Sequence, residues 1–94
     1  MQKHPSTESL EGAHTFPGPY LFKLFGRHEQ QFVDSIRAQI APHVVDEDDY
    51  SLALRPSSKG NFCVVDVNIQ AESAEHVPQI YTAFHDVVGL RTLL

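Results

Sequence analysis

The side chains able to do chemistry are few and dispersed. The six histidines, His4, His14, His28, His43, His76 and His85, show neither an H-E-x-x-H pair nor Cys/His ligand spacing, so they read as solvated surface groups and no metal centre is expected. Cys63, the single cysteine, falls inside an alternating apolar run and reads as a small buried hydrophobe rather than a nucleophile. It cannot close an internal disulfide, which fits a reducing compartment. Asp46, Glu47, Asp48 and Asp49 lack the glycine and the spaced ligands of an EF-hand loop, and read as a solvated acidic loop. With no Ser-His-Asp set and no paired carboxylates, no activated nucleophile can be assembled. Neither enzyme activity nor a cofactor is expected.

One polar stretch remains, Pro56-Ser57-Ser58-Lys59-Gly60-Asn61. Ser57, Ser58, Lys59 and Gly60 could cradle a small phosphate or carboxylate with hydroxyls, an ammonium and free backbone N–H groups. Against this, no G-x-x-x-x-G-K-[ST] loop is present, and the stretch leads into a strand rather than a helix. Plain hairpin chemistry is the stronger reading.

The elements that must position these groups follow from the apolar pattern. A chain of 94 residues, 41% hydrophobic, holds one modest core. Residues 1–15, with Leu10 the one large aliphatic in their middle, are expected to form a flexible tail, and 16–94 a single domain. Tyr20–Phe25 alternates and reads as a strand, with Tyr20, Phe22 and Leu24 on one face. From His28 to Ala41 the period lengthens, Phe32, Ile36 and Ile40 marking an amphipathic helix that Pro42 stops. Tyr50–Arg55 and Phe62–Ala71 are alternating strands. Ser73 is a reasonable N-cap for a second helix striped by Val77, Ile80 and Phe84, although Pro78 favours a start one or two residues later. Leu90–Leu94 closes the order as a short strand. The expected architecture is therefore α+β: a ferredoxin-like βαββαβ two-layer sandwich, antiparallel sheet order 4-1-3-2, both helices on one face.

Period-two alternation then fixes what the uncovered face displays. A four-residue loop at Ser57–Gly60, with Gly60 in a left-handed conformation, pairs Leu54 with Cys63, Leu52 with Val65 and Tyr50 with Val67. It sends Leu21, Lys23, Phe25, Phe62, Val64, Asp66, Arg91 and Leu93 outward as candidate interface residues, with Lys23 and Arg91 flanking Asp66. A mixed apolar and charged patch of this kind suits a protein partner or a homodimer better than water.

The lead-in Phe16-Pro17-x-Pro19, the Pro-Ser-Ser-Lys-Gly-Asn turn followed by Phe62, the Val65, Val67, Ile69 strand, Val77 and Tyr81, and the Arg91–Leu94 strand resemble the YbeD-like family of small bacterial proteins of unknown function. The resemblance implies a ferredoxin-like fold similar to ACT regulatory domains, hence a regulatory role, with a loose association with lipoate metabolism, and brings no catalytic residues. The expected function is a non-enzymatic regulatory or adaptor module acting through protein contacts or self-association. An ACT-like sensor of a small ligand, an amino acid or an anion, is the alternative. RNA binding comes third: Lys59-Gly60 echoes the opening of the RRM third-strand motif, but Asn61, Cys63 and Asp66 stand where aromatics are needed, and the net charge of −5 disfavours polyanions. Without a long apolar stretch or an apolar leader near Met1, a cytoplasmic location with no membrane contact is expected.

Overall fold

The computed structural model describes residues 16–57 and 60–94; the tail, Ser58 and Lys59 lie outside the described residues. Its order is β1 (Gly18–Arg27), α1 (Gln30–Ile40), β2 (Tyr50–Pro56), β3 (Phe62–Ala71), α2 (His76–Phe84) and β4 (Leu90–Leu93), with single turns of 3-10 helix at Ala41–His43 and Glu47–Asp49. The strands form one antiparallel sheet in the order β2-β3-β1-β4. This is the ferredoxin-like arrangement the apolar periods imply.

Both helices lie on one face of the sheet. Phe32, Ile36 and Ile40 of α1 and Val77, Ile80 and Phe84 of α2 join Phe22, Leu24, Cys63, Val65, Val67 and Ile69 in one buried cluster. Phe22 is the aromatic centre, its ring 4.8 Å from Tyr81, 4.9 Å from Tyr20 and 5.2 Å from Phe84 between centroids, in tilted or edge-on arrangements that suit the ring quadrupoles. A Cβ on Gly26 would lie 2.5 Å from the Phe32 ring and 2.6 Å from the Gly89 carbonyl oxygen. Only glycine allows β1, α1 and the entry to β4 to come this close.

Helix α2 begins at His76, three residues after Ser73, where the His76 N–H donates to the Ser73 carbonyl as a turn. The later start places Pro78 at the third helical position, where its missing N–H breaks no intrahelical bond. The acidic stretch is ordered as well as charged. Asp46 caps its 3-10 turn: its carboxylate accepts from the Asp48 N–H at 3.3 Å, while the Asp46 N–H donates to Asp49 Oδ2 at 3.2 Å.

The β2–β3 hairpin keeps the expected face parity but not the expected partners. Tyr50 pairs with Ile69, Leu52 with Val67, Leu54 with Val65 and Pro56 with Cys63, a shift of two from the pairing the turn suggests. Two hydrogen bonds explain it. The Ser57 N–H donates to the Phe62 carbonyl at 2.8 Å, extending the ladder by one pair, and the Asn61 carbonyl is taken at 3.1 Å by the His28 N–H across the β1–α1 corner. Gly60 adopts φ +75°, the left-handed conformation assigned to it. A shift of two leaves every side chain on its intended face.

Candidate interaction surface

The sheet face away from the helices is built from alternate residues of four strands. β1 contributes Leu21, Lys23, Phe25 and Arg27; β3 contributes Phe62, Val64, Asp66 and Asn68; β2 contributes Ala53 and Arg55; β4 contributes Thr92, the partner of Phe25. Leu21 pairs with Asn68, Lys23 with Asp66, Phe25 with Val64. At the β1–β4 end, Leu24 pairs with Leu93 and Phe25 with Thr92, but Gly26 pairs with Leu90, so Arg91 is an extra residue in a β-bulge.

The bulge corrects one predicted interface residue. Strict alternation puts Arg91 and Leu93 on the same face; the extra residue breaks the alternation between them. Leu93 is only 2% exposed, packed in the core as the partner of Leu24, and leaves the candidate surface. Arg91 stays outward, its guanidinium 5.4 Å from the centroid of the Phe62 ring. That ring is stacked on Phe25 at 5.4 Å and 25°. The result is a cation–aromatic–aromatic cluster bridging β4, β3 and β1.

A second correction concerns Asp66. Lys23 and Arg91 do not hold it: Arg55 does, its Nε donating to Oδ2 at 3.1 Å and its Nη2 to Oδ1 at 3.0 Å. The planar guanidinium fits a carboxylate with two parallel bonds, which a lysine ammonium cannot match. Arg55 was readable from alternation, since it shares parity with Ala53 and is opposite in phase to Leu52 and Leu54. Lys23 and Arg91 make no ion pair with a carboxylate among the described residues. Leu21, 48% exposed, completes the apolar part of the face.

Of the proposed anion cradle, Ser58 and Lys59 lie outside the described residues. The Gly60 N–H donates to the Ser57 carbonyl at 3.0 Å, and the Gly60 carbonyl is 3.2 Å from His28 Nδ1. The N–H of Gly60 therefore serves the turn, while its carbonyl faces the His28 ring at the β1–α1 corner.

Cys63 is buried, burial pushes its thiol pKa up, and its Sγ lies 3.8 Å from the Arg27 carbonyl oxygen. A thiol held protonated in an apolar core is a poor nucleophile. Burial, followed by the hydrogen bond to Tyr20, also holds the Tyr81 hydroxyl protonated. Two of the dispersed histidines meet in space, the rings of His43 and His76 being 5.9 Å apart. Desolvation and then the neighbouring His76 lower the His43 pKa. Among the described residues, no group of three or more His, Cys, Asp or Glu side chains is placed to hold a metal ion.

Sequence pattern gave no hint of one concavity: an open groove of about 740 Å³ between α1 and β2, lined by Asp34, Arg37, Glu47, Asp48 and Tyr50 among others. Arg37 Nη1 donates to the Tyr50 hydroxyl at 3.4 Å across it. The acidic turn supplies Glu47 and Asp48 to its lining, a placement that alternation cannot reveal. No helix is long and apolar enough to cross a membrane among the described residues.

Residues 11–94 match the family model described as "Protein of unknown function (DUF493)". A UPF0250 protein of Idiomarina loihiensis is 30% identical over the full length of both chains. A UPF0250 protein of Klebsiella pneumoniae and UPF0250 protein YbeD of Salmonella newport are each 32% identical over 79 residues, covering 84% of this chain and 88% of theirs. The outward face, the bulge and the hairpin thus belong to a YbeD-like protein, and the chain is a member of the DUF493 family, whose function is unknown.

Proposed function

We propose that this protein is a non-enzymatic regulatory or adaptor module that docks a protein through its open sheet face. The supporting observation is the Arg91, Phe62, Phe25 cluster, with Leu21 further along β1 beyond Lys23, on the face its own helices leave uncovered. Large apolar side chains on central strands are a poor match for water. Phe25 and Phe62 are already stacked before any partner arrives, so less side-chain entropy remains to be lost on docking, about 0.5–1.5 kcal/mol for each immobilised side chain. Aromatic and arginine side chains are also those that concentrate binding energy at protein interfaces.

Val64 sits between Phe25 and Arg55 on this face. Affinity capture with the full chain, wild type beside Val64→Glu, followed by mass spectrometry, tests the reading. It predicts a partner retained by wild type and lost by the variant at unchanged melting temperature. Identical capture profiles for the two chains would contradict it.

A further inference from the structure

The open face and the chain as a whole carry opposite charge, and that difference specifies the partner. The chain has a formal net charge of −5. Its outward strand residues include Lys23, Arg27, Arg55 and Arg91 as cations, Arg27 being paired with Glu29, and Asp66 as the one acid on the strands among the described residues. Asp66 is satisfied by both its bonds to Arg55. Lys23 and Arg91 are therefore a surplus of positive charge on either side of Phe25. The other described acids, Glu29, Asp34, Asp46 to Asp49, Glu72, Glu75 and Asp86, sit in helices or connections, Asp48 and Asp49 bordering this face only at its Pro19, Ser51, Asn68 and Gln70 end, away from Phe25 and Phe62.

We propose that the segment docking on this face is an acidic peptide stretch of another protein, with apolar residues that cover Phe25, Phe62 and Leu21 and flanking carboxylates that meet Lys23 and Arg91. This rests on the docking reading above and narrows it. Apolar contact supplies the buried area, while complementary charge sets register and rate of encounter and rejects wrong partners. A second copy laid face to face is disfavoured by the same charges. A twofold interface sets each patch against itself, so the unpaired Lys23 and Arg91 of one copy would meet those of the other. Single-stranded RNA would also satisfy the cations, and charge is what tells against it. The −5 net charge opposes a polyanion at long range, whereas a short acidic segment meets mainly the local field.

The test is a random peptide display library panned against the full chain, followed by fluorescence titration of the selected peptides. The expected winners carry Asp or Glu flanking Leu, Phe or Tyr. They should weaken at least about tenfold on Phe62→Glu, and at least about tenfold on the Lys23→Glu, Arg91→Glu double variant, with affinity falling as salt rises. Peptides that need Phe62 but are neutral or basic would overturn the inference and leave the docking reading standing. An absence of any Phe62-dependent peptide would sink both. Two further results would overturn it in favour of other occupants: tight, Phe62-dependent binding of oligouridylate, or concentration-dependent sedimentation that Phe62→Glu abolishes.

Discussion

The two faces of this sheet share one backbone and have opposite characters. On β1 and β3 the inward residues Phe22, Leu24, Cys63, Val65, Val67 and Ile69 are all essentially inaccessible, and none is polar beyond a thiol. Between them, on the same strands, the outward residues Leu21, Lys23, Phe25, Phe62, Val64 and Asp66 mix aliphatic, aromatic and charged groups at partial exposure. The inward set is what two helices and a sheet require in order to fold. No helix covers the outward set, and Phe25 and Phe62 stand outside the core cluster.

The largest effect should come from the inward side. Phe22→Ala removes the ring at the centre of the aromatic cluster and should cost about 3–5 kcal/mol, read as a lowered midpoint in urea unfolding. Gly26→Ala comes next. Its new methyl has nowhere to go between the Phe32 ring and the Gly89 carbonyl, so about 2–3 kcal/mol should be lost by the same measurement. Gly60→Ala sharpens the comparison, because nothing lies within 4 Å of its Cβ position. Only the positive φ is penalised there, at about 1–2 kcal/mol. Equal losses at the two glycines would mean that close packing at the β1–α1–β4 junction is not what makes Gly26 necessary.

The smallest expected effect is a pH dependence at the edge of the core. The His43 pKa is lowered in the fold, so the unfolded chain binds its proton more readily. Its contribution to stability is complete above the ordinary histidine value of 6.5 and is lost as pH falls from there through the folded value. Unfolding midpoints at about pH 7.5 and about pH 5.5 should differ by less in His43→Gln than in wild type. The neighbouring His76 ring, 5.9 Å away, adds to the desolvation that lowers the His43 pKa.

Much of this was legible in the sequence, for a physical reason. Period-two and longer-period apolar patterns are imposed by burial, so the strand and helix order, the core face and the outward placement of Phe25 and Phe62 follow from them. What alternation could not supply is where it breaks. The bulge at Arg91 puts Leu93 in the core, and it sits where Gly26 closely approaches the Gly89 carbonyl, a contact between residues far apart in the chain. The hairpin shift likewise depends on His28 capturing the Asn61 carbonyl, which no local turn rule contains. The Arg55–Asp66 pair was reachable from parity, but choosing arginine over lysine as the partner required the bidentate geometry. The open groove beside α1 and the His43–His76 contact are products of tertiary placement alone.

The central claim is that the outward aromatic cluster is dispensable for folding and necessary for docking. Phe62→Glu in the full chain tests both halves at once, by thermal melting and by affinity capture from the same preparation. The melting temperature should fall by no more than about 4–8 °C, equivalent to about 1 kcal/mol in a domain of this size, while the partner that wild type retains is lost. A variant that unfolds outright, or one that keeps the full set of wild-type partners, would contradict it.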